Sequence, residues 1–267
     1  MSNEEAAESF SVEMDGTVAL LRFDRPERRN LMDSATARGI ANFVRKAPRN
    51  PDIRAIVVTG AGENFCLGGD AVRNNSLVTD NTPLDYRWLA DDFQALFLAL
   101  WEVELPVVSA VNGRVASVGW MLALLGDLVV AAEGARWTHV FLRRGMVPHA
   151  GDPYFMSRLI PMQRLAEIAL LGDTLTSEQL ERWGLVNRVV SADEVLDTAL
   201  ALAQRLATGP TRSIGLAKRL YRRALDSDIT TAFSEERATI ALVSTTEDRT
   251  EGVMSYIEGR DPKFKGR

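Results

Sequence analysis

The sequence predicts an α/β fold, with strands and helices alternating in the first half of the chain and helices dominating the second half. Three apolar, β-prone runs at 54–59, 106–111 and 128–132 are separated by segments of helical character. In the longest of these segments, 84–102, apolar residues recur at helical spacing. Strands that alternate with helices indicate βα units, so we expect a core with parallel strand pairing.

Turn and cap signals set the expected element boundaries in the first half of the chain. Asp15-Gly16 is a hairpin turn between two β-prone runs. Asp33 or Ser34 is placed to cap a helix. The segment 72–83 is polar and rich in Asn and Thr, which predicts a mobile loop. The expected elements are strands at 10–14, 17–23, 54–59, 106–111 and 128–132, and helices at 31–45, 84–102 and 119–125.

From residue 163 onward the pattern is almost wholly helical. Expected helices cover 163–171, 177–183, 192–208 and 211–226, with a further pair within 230–258. The helix at 211–226 has one apolar face, so we interpret it as a solvated amphipathic helix rather than a nucleic-acid-binding one. Its basic residues are Arg212, Lys218, Arg219, Arg222 and Arg223.

The composition excludes several classes of function. The 267 residues carry a net charge of −5, so there is no general attraction to nucleic acid or anionic membrane. The single cysteine, Cys66, allows no internal disulfide and is expected to be a buried structural thiol, and no residue cluster has metal-ligand spacing. Residues 1–10 are acidic and polar, unlike a targeting signal, and the apolar run 118–125 is shorter than the ~20 residues of a membrane span. We therefore expect a cytoplasmic protein without a metal.

One stretch of the first half, 57–70, is suited to holding an anionic oxygen. It runs from a buried strand through a turn to Gly68-Gly69, followed by Asp70. Glycines allow the backbone to approach a ligand closely, because no Cβ intervenes. If a helix opens at Asp70, the amide of Gly69 points from its positive end towards a developing oxyanion.

Several motifs, in order along the chain, carry a resemblance to a known family. They are RPERRN at 25–30, FCLGGD at 65–70, PVVSAVNGRVASVGWMLALLGD at 106–127 and DPKFKGR at 261–267. Together they resemble the enoyl-CoA hydratase/isomerase (crotonase) superfamily, over residues 18–267.

The resemblance implies a crotonase-like spiral of ββα turns with C-terminal helices that form a trimer or a hexamer. Residues 1–200 would form the spiral core with the acyl-CoA site, and 201–267 the helical oligomerisation segment. The partner implied is an acyl-CoA substrate, and coenzyme A enters only as part of that thioester, with no separate cofactor. The amides of Gly69 and Val118 would hold the thioester oxygen. Coenzyme A would contact Arg28, the carbonyl of Leu67, and Phe264 and Lys265 of the tail.

The chain departs from the family where hydratases carry two glutamates. Met121 and Phe141 occupy these positions, and neither side chain accepts a proton, so hydration by a glutamate pair is not available. Together with Trp120 they suggest an apolar, aromatic acyl pocket. The usual triple glycine reads Ser117-Val118-Gly119, and a β-branched residue at 118 resists a positive φ.

His149 is the expected acid or base. It lies where other members carry a catalytic aspartate, and the unperturbed pKa of histidine is near neutrality. Asp152 is expected to fix the His149 imidazole in one tautomer, and His139 is a candidate pocket residue. The sequence thus predicts double-bond isomerisation or non-standard hydration with His149 as acid or base. Hydrolysis, C–C cleavage, and acyl-CoA binding without chemistry stay open as alternatives.

Overall fold

The computed structural model describes residues 9–77, 80 and 82–267, and it confirms the α/β class. The acidic segment 1–8 and part of the predicted 72–83 loop lie outside the described residues. The strands are β1 Phe10–Asp15, β2 Val18–Phe23, β3 Ala55–Gly60, β4 Asn64–Cys66, β5 Val107–Val111, β6 Arg114–Ala116, β7 Leu128–Ala132, β8 Arg136–Thr138, β9 Thr174–Thr176 and β10 Arg188–Val190.

Helices follow or precede most of these strands. They are α1 Ser34–Lys46, α2 Ala71–Asn75, α3 Pro83–Glu102, α4 Gly119–Leu124, α5 Asp152–Leu159, α6 Met162–Ala166, α7 Ser177–Arg182, α8 Val195–Ala207, α9 Thr211–Ala224, α10 Ile229–Val243 and α11 Glu247–Glu258. Short 3-10 turns lie at Pro26–Arg28, Ala47–Arg49 and Leu142–Arg144, and a π-helical turn at Glu167–Leu171.

In the described part of the chain the strands form a six-stranded and a four-stranded sheet. The larger sheet has the order β1-β2-β3-β5-β7-β10 and the smaller the order β4-β6-β8-β9. Pairing is parallel except at the β1–β2 hairpin and between β8 and β9. In the smaller sheet β4 and β6 are adjacent parallel strands, so the loops that follow them are neighbours.

The inner strands of the larger sheet, β2, β3, β5 and β7, are buried on both faces, as parallel strands require. Every residue of β3 is buried. Its alternate residues enter different cores, because side chains alternate across a strand. Ile56 and Val58 join the cluster formed with α1 and α3, whereas Ala55 and Val57 join the cluster formed with α8.

The hairpin and cap signals of the first half are confirmed, whereas the start of the predicted 72–83 loop is helical and belongs to α2. Gly16 takes a φ of 59° in the turn of the antiparallel β1–β2 hairpin. Asp33 caps α1, since its carboxylate accepts a hydrogen bond from the Thr36 amide at 2.8 Å. In the second half the almost wholly helical prediction is wrong at β9 and β10. Each is three residues long, too short for a period of two to be visible, and each exists through pairing with a distant strand.

The helix α8 belongs to the core. Val195, Ala199, Ala203 and Ala207 are all buried against the larger sheet. The predicted boundary between residues 200 and 201 therefore falls inside a helix that packs on the sheet along its length. The helices beyond the sheet core begin with α9.

The helix α9 is not the plain solvated amphipathic helix that its apolar face predicted. The Lys218 Nζ and an Arg222 Nη lie 2.7 Å and 2.9 Å from the two carboxylate oxygens of Asp127. The Lys218 side chain is 8% exposed, and burial, opposed by Asp127, lowers its pKa to about 8. The Arg222 guanidinium also lies over the ring of Trp101. These two cations attach α9 to the core. Among the described residues, no helix is long and apolar enough to span a membrane.

Candidate active site

The Gly68-Gly69 turn follows β4 and is fixed by a bridge to Met32. The Met32 amide donates to the Gly68 carbonyl at 2.9 Å, and the Asp70 amide donates to the Met32 carbonyl at 2.7 Å. Because successive amides of an extended chain point in opposite directions, the amide of Gly69 faces away from this bridge. Asp70 caps α2 by accepting a hydrogen bond from the Arg73 amide, as the sequence predicted for a helix opening there.

Gly68 cannot be replaced without a clash. Its φ is 107°, and a Cβ at this position would lie 2.5 Å from the Cβ of Ser117. Gly119, at the start of α4, is similarly tight, because its Cβ would lie 2.3 Å from the carbonyl oxygen of Cys66. The two loops that follow β4 and β6 are therefore packed backbone to backbone.

Val118 carries none of the strain that its sequence position suggested. Its φ is −59°, an ordinary helical value, and it caps α4. The positive φ falls instead on Ser117, at 54°. Ser117 is not β-branched and tolerates this conformation better than valine. The amide of Val118 thus starts a helix without a strained valine.

A cavity of about 490 Å³ lies between these loops, α3 and the segment that follows β8. It brings together Gly69, Val118 and His149, three of the residues that the sequence singled out. Its walls are largely apolar. The other described lining residues are Ala71, Asn74, Asn75, Tyr86, Leu89, Ala90, Phe93, Ser117, Arg144, Met146, Val147 and Ala150.

The tautomer of His149 follows from its hydrogen bond. Its Nδ1 lies 2.9 Å from the carbonyl oxygen of Val147. A carbonyl can only accept, so Nδ1 carries a proton and donates. In the neutral ring the lone pair is then on Nε2. The ring also packs against Phe141, with centroids 4.6 Å apart. The Nδ1 side of the imidazole is therefore held by the backbone, and Nε2 is the nitrogen that can accept a proton.

Asp152 does not bind His149, contrary to the prediction. Its Oδ2 lies 2.8 Å from Nε2 of His139, and both side chains are fully buried. The backbone explains the exchange of partners. The Asp152 amide donates to the His149 carbonyl at 3.2 Å, which closes the turn before α5 and directs the Asp152 carboxylate inward. Asp152 supports the backbone of His149 rather than its imidazole.

The predicted pocket residues Trp120, Met121, His139 and Phe141 lie behind the cavity wall. All are buried, with exposures of 0–1%, and none of them lines the cavity. Three of their rings form edge-to-face contacts, with centroids 6.1 Å apart between Trp120 and His139 and 4.9 Å apart between His139 and Phe141. These four side chains were expected to line the pocket but are buried inside the core instead, and the aromatic side chains that line the described cavity wall are Tyr86 and Phe93.

The residues expected to meet coenzyme A occupy two separate places. The Arg28 guanidinium lies 2.7 Å from Asp70, beside the Gly68-Gly69 turn, and Leu67 is half-buried. Phe264 and Lys265 line a second cavity of about 520 Å³, formed with Arg54 and Thr211. The two cavities share no lining residue within the described part of the chain. The tail therefore does not reach the first cavity within one chain.

Sequence reasoning missed several groups that border the first cavity, above all Arg144 and Tyr86. Tyr86 lies in the first turn of the predicted helix 84–102 and Arg144 lies outside every predicted element, and neither belongs to a distinctive motif. The ionisable side chains among the described lining residues belong to Tyr86, Arg144 and His149. The signal for Arg144 was its place in the same turn-rich segment as His149.

Two other predictions concern metal and thiol chemistry. The described residues contain no cluster of three or more His, Cys, Asp or Glu side chains that could hold a metal ion. Cys66 is buried, and burial raises the pKa of its thiol to about 12. It is thus the structural thiol that the sequence predicted.

Comparison with solved structures identifies the fold as the crotonase fold. The enoyl-CoA hydratase subunit I of Geobacillus kaustophilus HTA426 superimposes with a TM-score of 0.89 at 30% identity, covering 97% of this chain and 98% of that chain. An enoyl-CoA hydratase from Bacillus anthracis has a TM-score of 0.89 at 25% identity, covering 97% of this chain and 100% of that chain.

Sequence comparison identifies the family. The family model described as enoyl-CoA hydratase/isomerase matches residues 13–267, and the chain belongs to this family of acyl-CoA-processing enzymes. It is 34% identical over 250 residues to the 1,2-epoxyphenylacetyl-CoA isomerase of Escherichia coli K12, covering 94% of this chain and 95% of the relative. It is 29% identical over 269 residues to the carnitinyl-CoA dehydratase of Salmonella paratyphi A, covering 98% and 100%. The resemblance stated from the motifs is confirmed.

Proposed function

We propose that the chain is an acyl-CoA isomerase that polarises the thioester carbonyl with the amides of Gly69 and Val118 and moves one proton with His149. One observation carries this proposal: the two amide-bearing residues and the imidazole border the same cavity. Fixed backbone donors stabilise an enolate oxygen without reorganisation, and loss of one such donor typically costs about 3 kcal/mol. The rigid packing of the Gly68 and Ser117 loops supplies this fixed geometry.

The proton transfer uses one group for both steps. His149 Nε2 takes a proton from the α-carbon of a 3-enoyl thioester, and the C–H electron pair moves into the enolate. The imidazolium then returns the proton to the γ-carbon as the electron pair of the enolate moves back along the chain. The double bond shifts by one position and no second reactant is consumed. A histidine acting alone suffices for this reaction, whereas a hydration of the family's type uses two carboxylates.

The names of two relatives support a reaction on a CoA thioester. One relative is named an isomerase and another a dehydratase, both of CoA thioesters. Non-standard hydration, hydrolysis or C–C cleavage would use the same amides with a water or substrate oxygen activated by His149. Product analysis separates these reactions.

The test is turnover of 3-hexenoyl-CoA, followed by the absorbance of the conjugated product and by mass spectrometry. His149→Ala and His149→Gln should lower kcat by about 10²- to 10⁴-fold, the usual contribution of a general acid or base. Affinity for the unreactive hexanoyl-CoA should stay within about threefold. Full activity of His149→Ala would refute the proposal.

One observation favours a second function, acyl-CoA binding without chemistry. In the described part of the chain, no carboxylate lines the cavity. A panel of enoyl-CoA and 3-hydroxyacyl-CoA substrates distinguishes the two functions. A product whose formation depends on His149 excludes pure binding, and the absence of any product across the panel supports it.

We also propose that the chain assembles into a homotrimer or a dimer of trimers through its C-terminal helices. Large apolar side chains are exposed on α10 and α11, including Phe233 at 50%, Ile240 at 63% and Ile257 at 69%. Assembly would bring Phe264 and Lys265 towards a neighbour's coenzyme A, which they do not reach within one chain, while Arg28 and the Leu67 carbonyl would contact coenzyme A in their own chain. Light scattering after gel filtration tests this: a monomer at micromolar concentration contradicts it, and Phe233→Glu should dissociate the assembly.

A further inference from the structure

Arg144 gives the cavity its formal positive charge. We infer that this guanidinium binds a carboxylate at the far end of the acyl group, so that the substrate is the CoA thioester of a dicarboxylic acid. The inference rests on the proposed function in one respect, namely that the acyl group occupies the cavity between Gly69, Val118 and His149. It adds the chemical class of the acyl group and the residue that recognises it.

The backbone that carries Arg144 is held in place. Arg144 ends a 3-10 turn, and its amide donates to the carbonyls of Val140 and Phe141, at 3.2 Å and 3.0 Å. Gly145 closes the turn with a φ of 67°. Phe141, the residue before the turn, is fully buried. The side chain of Arg144 therefore extends from a fixed turn to the cavity wall, as required of a group that selects a substrate.

The adjacent Arg143 shows what an ordinary surface arginine does in this segment. Its guanidinium lies 3.5 Å from the carboxylate of Asp173, and it does not line the cavity. Arg144 lines the cavity instead. Among the residues that the structure describes, no carboxylate pairs with the Arg144 guanidinium. The two neighbours thus differ in both position and pairing.

The charge of the described cavity wall is unbalanced. Arg144 is a permanent cation, and no carboxylate from the described residues lines the cavity to neutralise it. Arg144 is exposed in the free chain, and an acyl chain that fills the cavity displaces part of the water around its guanidinium, which is unfavourable unless an anion replaces that water. A carboxylate is the matching anion, since it accepts two parallel hydrogen bonds from a guanidinium. The wall therefore favours an acidic acyl group over a purely apolar one.

The position of Arg144 assigns it to the acyl end of the substrate rather than to the coenzyme A phosphates. It lies on the same segment as His149, the proposed proton carrier. The residues expected to contact coenzyme A, among them Arg28 and Leu67, do not line this cavity. A residue that contacts the coenzyme A phosphates would lie on the same side of the Gly68-Gly69 turn as Arg28 and Leu67.

Binding of unreactive thioesters tests the inference without requiring turnover. Calorimetry compares chain-matched pairs, pentanoyl-CoA with glutaryl-CoA and hexanoyl-CoA with adipoyl-CoA, together with free coenzyme A. For at least one chain length, Arg144→Met should lower the affinity for the dicarboxylic thioester about 10- to 100-fold, the range of a charge-assisted hydrogen-bonded pair. The methyl-ended partner and free coenzyme A should change by less than about threefold. Arg144→Lys should recover part of the loss, and Arg143→Met, the matched control, should change no affinity.

Two results would overturn the inference. An equal loss for both members of each pair and for free coenzyme A would place Arg144 on the phosphates. If the affinities of Arg144→Met equal those of the wild type, Arg144 does not contact the bound thioester. Neither result touches the proposed function, which fails separately if no acyl-CoA binds or if His149→Ala retains full activity.

Discussion

Nε2 of His139 lies 2.8 Å from Oδ2 of Asp152, and both side chains are fully buried behind the wall of the candidate active site. The pair joins the end of β8 to the first turn of α5. The segment that it closes carries Arg144 and His149, the two ionisable groups on that side of the cavity. The pair therefore fixes the loop on which the proposed chemistry depends.

Removal of one member of this pair should destabilise the fold. Asp152→Ala leaves the buried His139 without its hydrogen-bonding partner, at a cost of about 3 kcal/mol, as for other broken buried pairs. Urea unfolding measures the loss. Asp173→Ala is the matched control, because this exposed carboxylate pairs with Arg143 at the surface and should contribute under about 1 kcal/mol. Equal stabilities of Asp152→Ala and the wild type would contradict the structural role.

Gly68→Ala should abolish acyl-CoA turnover. The added Cβ would lie 2.5 Å from the Cβ of Ser117 and would separate the two loops that carry the proposed amide donors. Gly134→Ala is the control for backbone conformation alone, since Gly134 has a φ of 64° and no atom within 4 Å of an added Cβ. The control should cost about 1–2 kcal/mol in urea unfolding and leave turnover unchanged. Wild-type turnover by Gly68→Ala would show that the close packing is dispensable.

The stability contributed by Lys218 should increase with pH in the alkaline range. Burial lowers its folded-state pKa to about 8, while the usual value is 10.5. Between these values the unfolded chain binds more protons than the folded one, so the free energy of unfolding rises with pH. Relative to Lys218→Met, the wild type should gain up to about 1.4 kcal/mol per pH unit in this window. Urea unfolding of both proteins from pH 7.5 to 10 measures the difference, and parallel curves would contradict the prediction.

Cys66 should resist alkylation in the folded protein. Burial raises the pKa of its thiol to about 12, so the reactive thiolate is scarce at pH 8.5 and the sulfur is also inaccessible. Iodoacetamide at this pH should leave the native protein unmodified by mass spectrometry, whereas the same treatment in 6 M guanidinium should add one group. Rapid labelling under native conditions would show that the β4 loop opens.

The sequence alone predicted those features that depend on neighbours in the chain. The β1–β2 hairpin follows from Asp15-Gly16, and the cap of α1 follows from Asp33. The glycines at 68 and 69 predicted a backbone that a ligand can approach closely, and the structure adds that Gly68 is itself packed against Ser117. The motifs in order along the chain identified the family. The hairpin and the cap each depend on a few neighbouring residues, and each family motif is itself a short segment, so the local sequence is sufficient for these predictions.

Tertiary structure decided the pairings between residues distant in the chain. Asp152 binds His139 rather than the nearer His149, because the turn before α5 directs its carboxylate inward. Trp120 and Phe141 fill the core behind the cavity, and Lys218 of α9 is buried against Asp127. The periodicity of the sequence indicates which residues of an element face the core, but it does not specify which distant residue each one contacts. The partner is set by how strands and helices dock, and this docking put Arg144, which the sequence analysis did not single out, into the wall of the cavity.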